Sequence, residues 1–266
     1  QHATYVDTGA RAVVDTCGTG GDSADTFNIS TATAFVAAGA GVCVAKHGNR
    51  AVSSQCGSAD VLAELGVNLD AEPWVMEECL QENGICFLFA PRMHPAMKHA
   101  IGPRRELGFR TIFNMLGPLT NPAGASGQVL GVFSADLTET FARVLRELGT
   151  RRALVVHGND GMDEITVTDT TRISELRDGN VQTYELSAEM IFGEFSDAEE
   201  LAGGDPAMNA RILRSVLEGE EGAPLRVVLL NAAAAIVAGE AADTIEEGVE
   251  KARHSVESGA ASAKLD

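Results

Sequence analysis

The chain has 266 residues and is 45% hydrophobic, so it is long and apolar enough to bury a core, which excludes an intrinsically disordered protein. Its 20 basic and 38 acidic residues give a formal net charge of −18, which argues against a surface for nucleic acid or for an anionic membrane. The five cysteines contain no CxxC pair, and no apolar run is long enough to span a bilayer. We therefore expect a cytoplasmic protein without a disulfide framework or a zinc ribbon.

Apolar periodicity and turn-forming residues predict strands that alternate with helices. In chain order the predicted elements are strand 12–15, helix 30–40, strand 42–46, helices 58–65 and 73–83, strand 85–89, helix 95–107, loop 117–124, strand 128–132, helix 137–148, strand 152–157, a hairpin of 172–176 and 181–186, and helices 206–218, 224–239 and 244–258. Such alternation is typical of an α/β fold with a mostly parallel central sheet flanked by helices.

A glycine loop, defined as residues 17–22 (CGTGGD), follows the first predicted strand. Glycines there allow positive φ and let backbone N–H groups converge on an anion. The helix start at 28–31 (NIST) adds further N–H donors and hydroxyls, so the two segments together predict a phosphate site. The spacing matches neither a P-loop nor a dinucleotide fingerprint, and a plain tight turn is the alternative.

A basic segment, residues 46–54 (KHGNRAVSS), directly follows the strand predicted at 42–46. Ligands of open α/β sheets bind beyond the carboxyl ends of strands, and three cationic groups there suit a phosphorylated ligand. The helix start at Ser58 adds a second anion-binding N-terminus. The alternative is a solvated loop in which Arg50 pairs with a surface carboxylate.

Two further features could complete such a site. Adjacent Asp163 and Glu164 follow the strand predicted at 152–157 and could bind Mg²⁺, although acidic pairs in loops are common. His94 begins a basic predicted helix in which Arg104 or Arg105 could grip a carboxylate, and spacing does not choose between them. No nucleophile with a base is recognisable, so the chemistry rests on positioning and electrostatics.

These features, in this order, resemble the anthranilate phosphoribosyltransferases of tryptophan biosynthesis. KHGN followed by GPLTNPA is the most specific part of the match, which runs from about residue 14 to the C-terminus. The segments that carry it are 17–22, 28–31, 46–54, GSADVL at 57–62, MHPAMK at 93–98, RTIFNMLGPLTNPA at 110–123, and the pair Asp163-Glu164.

The resemblance implies a reaction: phosphoribosyl pyrophosphate (PRPP) gives its phosphoribosyl group to the amine of anthranilate and releases pyrophosphate. It implies two Mg²⁺ ions bound by Ser30, Asp163 and Glu164, and no covalent or general-base residue. Anthranilate would lie beside Gly18, Asn49, His94 and Arg104, with Arg104 facing its carboxylate. PRPP would be bound by Gly18, Thr19, Gly20, Gly21, Asp22, Thr26, Asn28, Ile29, Ser30, Thr31, Lys46, His47, Gly48, Asn49, Arg50, Ala51, Val52, Ser53, Ser54 and Ser58.

The resemblance also bears on domains and partners. We expect one α/β phosphoribosyltransferase domain over 1–266, with 93–120 as the remnant of a small helical domain whose N-terminal segment this sequence does not contain. The family is homodimeric through that small domain, so we expect an incomplete dimer contact. Two rival functions are a silent paralogue that binds nucleic acid, which the net charge of −18 opposes, and a nucleoside phosphorylase, which the KHGN segment opposes.

Overall fold

The structure, a computed structural model, describes residues 3–9, 11–22, 24–51, 55–97 and 112–266. Its core is a seven-stranded sheet whose strands are β1 Val14–Gly18, β2 Val44–Gly48, β3 Ile85–Phe89, β4 Gly127–Gly131, β5 Arg152–Gly158, β6 Thr170–Arg177 and β7 Asn180–Ser187. Their order in the sheet is β3-β2-β1-β4-β5-β6-β7. The first five strands are parallel to one another, whereas β6 pairs antiparallel with β5 and β7 pairs antiparallel with β6. The predicted fold class is confirmed.

Helices cover both faces of the sheet. Leu154 and Val156 point into the core beneath α1 (Ile29–Gly39) and α9 (Ala223–Ala238), whereas Ala153 and Val155 point into a separate core beneath α6 (Leu137–Glu147). This alternation along one buried strand is why residues 153–156 of β5 are all apolar. The helices are α1 Ile29–Gly39, α2 Ser58–Glu64, α3 Pro73–Asn83, α4 Ala90–Met93, α5 Ile112–Leu116, α6 Leu137–Glu147, α7 Ala188–Phe192, α8 Pro206–Leu217, α9 Ala223–Ala238 and α10 Ile245–Glu257. In the described part of the chain, no helix has the length and hydropathy needed to cross a membrane.

The sheet reverses its direction of growth at β1. From β1 the chain adds β2 and then β3 on one side, and it later adds β4 and β5 on the other. In open α/β sheets this reversal opens a crevice at the carboxyl ends of the central strands, where ligands bind. The register pairs Gly18 with Gly131, so two glycines lie side by side at the floor of that crevice.

Two strands run further than predicted. The predicted strands 12–15 and 42–46 are observed as Val14–Gly18 and Val44–Gly48. The polar side chains at their ends indicated loop, yet they are buried and hydrogen-bonded within the sheet. The Lys46 ammonium donates to the Thr16 carbonyl, and the His47 N–H donates to Asp15 Oδ1 at 3.0 Å. Tertiary pairing therefore overrides local propensity here.

The predicted hairpin is confirmed with longer strands and a tighter turn. Asn180 pairs with Arg177, so the connection is the two residues Asp178 and Gly179 and not three. Both have positive φ, +51° and +75°, as a type I′ turn requires.

The helix predicted at 95–107 is wrong in its described part. Helix α4 ends at Met93, and the N–H of the next residue, His94, donates to the Ala90 carbonyl at 2.9 Å. Pro95–Met97 then forms a 3₁₀ turn. Pro95 disfavours a helical conformation at the residue before it, which separates the two turns. Residues 98–107 lie outside the described ranges. Loop 117–124 is confirmed, with a 3₁₀ turn at Gly117–Leu119, whereas the short helices α5 and α7 were not predicted.

Candidate active site

The side chain of Asp163 reaches into the glycine loop from another part of the chain. The Gly20 N–H donates to Asp163 Oδ2 at 2.7 Å. A Cβ on Gly18 would overlap that carboxylate, and a Cβ on Gly131 would overlap the Asp163 carbonyl. The two glycines at the ends of β1 and β4 thus make room for an acidic residue that follows β5.

The rest of the glycine loop is tied to β4. The Thr19 N–H donates to the Gly131 carbonyl at 2.9 Å, and its hydroxyl accepts from the Phe133 N–H at 3.1 Å. Gly20 and Gly21 have φ of +65° and +79°, which side chains other than glycine rarely adopt. The chain therefore turns back over the end of the sheet, as predicted for a loop that approaches a ligand closely.

Glu164 reaches the start of helix α1. The backbone and the hydroxyl of Ser30 lie near its carboxylate and act to lower the Glu164 pKa. The Lys46 ammonium donates to the same hydroxyl at 3.1 Å and to the Thr16 carbonyl. The structure thereby brings together Ser30, Lys46 and the acidic pair, which the sequence places in three distant segments.

The charged forms of Asp163 and Glu164 are disfavoured in the site. Burial raises the pKa of Asp163 well above its usual range, and the charges of Asp22 and Glu164 raise it further. Burial likewise raises the pKa of Glu164 to about 8, although the Lys46 ammonium opposes the shift. Two buried carboxylates held this close favour a proton or a bound cation between them.

The donor set fits Mg²⁺. Its members are hard oxygen atoms, from the Asp163 and Glu164 carboxylates and the Ser30 hydroxyl. Among the described residues, no group of three or more His, Cys, Asp or Glu side chains is arranged to hold a metal ion. Mg²⁺ needs only one or two carboxylates, because water and substrate phosphates complete its shell.

His47 and His94 form a second feature of the crevice. Their rings meet edge to face with centroids 5.1 Å apart. The Nε2 atoms of both are buried without a hydrogen-bond partner. Burial lowers the pKa of His47 to about 4, with the charges of His94 and Lys46 adding to the shift, and burial also lowers the pKa of His94. Both rings are therefore neutral near pH 7 and present unsatisfied nitrogens, which calls for a ligand or water there.

Asp60 organises the end of the basic segment. It binds the Arg50 guanidinium at 2.8 Å and accepts from the N–H groups of Ala51 and Gly57 at 2.9 and 3.0 Å. The pairing of Arg50 with a carboxylate is the alternative that the sequence left open, and the exposed Arg50 adopts it. The Ser58 hydroxyl donates to the Asn49 carbonyl at 3.2 Å, so Ser58 closes the same loop and leaves Asn49 beside it.

Two other predicted residues, Asn28 and Thr26, have partners inside the protein. Asn28 Nδ2 donates to the Cys56 carbonyl at 3.1 Å, and Asn28 Oδ1 accepts from Asn209 Nδ2 at 2.9 Å. Thr26 bridges to Ala202. Thr31 has a buried hydroxyl without a hydrogen-bond partner. The predicted residues Val52, Ser53, Ser54 and Arg104 lie outside the described ranges.

Sequence reasoning missed three polar residues that support the site. Asp15 is fully buried and holds the His47 backbone. Asn209 holds Asn28, and Asn231 holds the backbone of Ile165, the residue after Glu164. A lone Asn inside the otherwise apolar run 227–238 is the signal that could have identified Asn231.

Comparisons with known proteins agree with this geometry. The model of the glycosyl transferase family, a/b domain, matches residues 10–262. The anthranilate phosphoribosyltransferase of Desulfosudis oleivorans is 60% identical over 265 residues, which cover 99% of this chain and 78% of the relative. The crystal structure of the Thermus thermophilus enzyme has a TM-score of 0.93 at 45% identity and covers 99% of this chain and 78% of its own. The Saccharomyces cerevisiae enzyme in complex with PRPP and Mg has a TM-score of 0.90 at 31% identity, covering 99% and 74%.

Proposed function

The chain belongs to the anthranilate phosphoribosyltransferase family, and from that premise we propose how its residues carry out the reaction. It transfers the phosphoribosyl group of PRPP to the amine of anthranilate, giving N-(5-phosphoribosyl)anthranilate and pyrophosphate in tryptophan biosynthesis. The observation that carries the assignment of roles is the meeting of Asp163 and Glu164 with the glycine loop, Ser30 and Lys46 at one end of the sheet.

We assign Mg²⁺ binding to Ser30, Asp163 and Glu164, with two ions per site. Held by these residues, the ions would supply positive charge against the negative charge of the departing pyrophosphate. The raised pKa values of both carboxyls support this role, because a cation offsets the energetic cost of burying their negative charges close together. The Lys46 ammonium lies between Ser30 and the Thr16 carbonyl and adds a fixed positive charge to the same region.

The leaving group lies at the glycine loop and the start of α1 in this assignment. Backbone N–H groups and the positive end of the helix dipole stabilise the departing pyrophosphate there. The bond between the ribose carbon and pyrophosphate oxygen breaks with its electron pair on pyrophosphate. The amine lone pair then forms the new carbon–nitrogen bond, and the proton that nitrogen sheds passes to pyrophosphate or water.

Anthranilate lies on the side of His47 and His94. Both rings are neutral, so they offer hydrogen bonds without repelling the developing positive charge on the ribose ring. The amine of anthranilate is already a neutral nucleophile, and the site accordingly orients it without a strong base. Asn49 and the Gly18 backbone complete the assigned path, and Arg104 binds the carboxylate.

A fluorescence assay tests this assignment. Anthranilate fluorescence should fall when PRPP and Mg²⁺ are added, and EDTA should abolish the fall. Glu164→Gln should lower the rate by roughly 100-fold or more, because it removes a metal ligand. The control is Glu257→Gln, which alters an exposed carboxylate at the end of α10 and should leave the rate unchanged. A rate that does not depend on the metal, or a Glu164→Gln rate equal to wild type, would contradict the assignment.

Family membership also leads us to propose a cytoplasmic homodimer, with residues 93–120 belonging to a small helical domain. Light scattering over a range of protein concentrations measures the oligomeric state directly. Calorimetric titration of Mg²⁺ into the PRPP-bound protein gives the number of ions.

A further inference from the structure

The structure describes the whole of helix α9, and one of the buried residues of this helix is polar. Fourteen residues of this helix are buried, and thirteen of them are Ala, Val, Leu or Ile. The exception is Asn231, which is 1% exposed. A buried amide that no partner satisfied would destabilise the fold, so its hydrogen bonds show what it does.

The Asn231 amide hydrogen-bonds to both backbone groups of Ile165. Its Oδ1 accepts from the Ile165 N–H at 3.0 Å, and its Nδ2 donates to the Ile165 carbonyl at 2.8 Å. Nδ2 also donates to the Val227 carbonyl one turn earlier in α9, at 2.8 Å. The last contact fixes the orientation of the amide, and the first two fasten the acidic loop, defined as residues 159–169, to the helix.

The fastened residue is the immediate neighbour of the acidic pair. Ile165 follows Glu164 directly, and its own side chain is fully buried in the core. A shift of its backbone would move Glu164 away from Ser30 and Asp163 away from the Gly20 N–H. The acidic loop is also held together internally, because Asp160 accepts from the Met162 N–H at 3.1 Å and from the hydroxyls of Thr166 and Thr168.

We propose that Asn231 is a positioning residue for the metal and substrate site: its amide holds the Ile165 peptide and thereby sets the two carboxylates at the spacing that a metal–PRPP complex requires. This inference rests on the metal assignment made above. Outer partners that orient metal ligands typically change metal affinity by about 10- to 100-fold when they are removed.

Asn231→Leu separates positioning from folding. Leucine has a similar size, so it fills the space, but it leaves the Ile165 N–H and carbonyl without partners. The matched control is Ser255→Ala, because Ser255 is also buried and its hydroxyl donates to the Val36 carbonyl at 2.8 Å, joining α10 to α1. Asn231→Leu loses three buried side-chain hydrogen bonds to the backbone and Ser255→Ala loses one, and each should lower the melting temperature by several degrees.

The deciding measurement is calorimetric binding of PRPP at a series of Mg²⁺ concentrations, together with kinetics. Asn231→Leu should raise the Mg²⁺ concentration for half-maximal PRPP binding by roughly 10-fold and leave the KM for anthranilate unchanged. Ser255→Ala should leave both constants within about twofold of wild type. Asn231→Ser, which replaces the amide by one hydroxyl, is used if the leucine variant does not fold. Its Mg²⁺ concentration for half-maximal PRPP binding should lie above that of wild type by less than the roughly 10-fold expected for Asn231→Leu.

Three results overturn the inference. Mg²⁺ and PRPP constants equal to wild type in both Asn231 variants would show that the amide serves stability alone. An equal rise in Ser255→Ala would show that any lost buried hydrogen bond has the same effect. If wild type itself bound PRPP without Mg²⁺ dependence, the metal assignment would fail, and the positioning role with it.

Discussion

The Gly20 N–H donates to Asp163 Oδ2 at 2.7 Å, so an acidic side chain from the loop after β5 occupies the glycine loop after β1. The same N–H would otherwise be available to an anion. While Asp163 accepts from Gly20, the glycine loop has one N–H donor fewer to offer to a substrate phosphate.

Gly18→Ala should abolish most activity while the protein stays folded. The added Cβ overlaps the Asp163 carboxylate, and displacement of a reacting group by about 1 Å can cost roughly 100-fold in rate. Steady-state kinetics and circular dichroism measure the two effects. The control is Gly39→Ala at the end of α1, where a Cβ meets Ser255 and Ala261. That variant should lose stability but keep its activity per folded molecule, and the prediction fails if Gly18→Ala keeps wild-type kinetics.

Mg²⁺ with PRPP should stabilise the protein more at about pH 8.5 than at about pH 6.5. Burial raises the pKa of Glu164 to about 8, so a proton competes with the metal below that pH, by roughly tenfold per pH unit. The sign for the metal-free protein is opposite. Its folded state holds the proton that the unfolded state has released, so this contribution to stability is lost as pH rises through the folded pKa.

Melting temperatures at the two pH values, with and without Mg²⁺ and PRPP, check both trends. Glu164→Gln should reduce the pH dependence of the shift that the metal produces. A shift of equal size at both pH values in wild type would contradict the prediction.

Acid should destabilise the protein through His47. Burial lowers its pKa to about 4, so between about pH 6.5 and pH 4 the unfolded state binds a proton that the folded state does not. Stability is lost as pH falls through this window, by about 2 kcal/mol between pH 7 and pH 5. Urea denaturation at both pH values measures the loss. His47→Gln should reduce it by that amount, whereas His254→Gln, at an exposed position of α10, should not. Equal losses in all three proteins would refute this role.

The sequence predicts the framework more accurately than the contacts within the site. Helix 73–83 and strand 85–89 match the structure at both ends, because a proline at the first helical position and an uninterrupted apolar run are local signals. The motifs also lie at the crevice as their positions after strands predicted. Residues 16–18 and 47–48 did not indicate strand, because the hydrogen bonds that hold them exist only once β1 and β2 are neighbours. Asn231 and Ile165 are 66 residues apart, and nothing local in either segment predicts that contact.

Lys46→Met should weaken PRPP binding by roughly 10- to 100-fold, since a hydrogen bond that involves a charged group contributes about 1.5–3 kcal/mol. The ammonium donates to Ser30 Oγ at 3.1 Å and opposes the rise in the pKa of Glu164. Its loss removes a positive charge from the phosphate region and increases the repulsion between the carboxylates. Calorimetry with PRPP and Mg²⁺ measures the affinity directly. The control is Lys251→Met, which removes an exposed ammonium paired with Glu247 at 2.7 Å and should bind PRPP as wild type does. If both variants bound PRPP equally well, Lys46 would have no part in substrate binding.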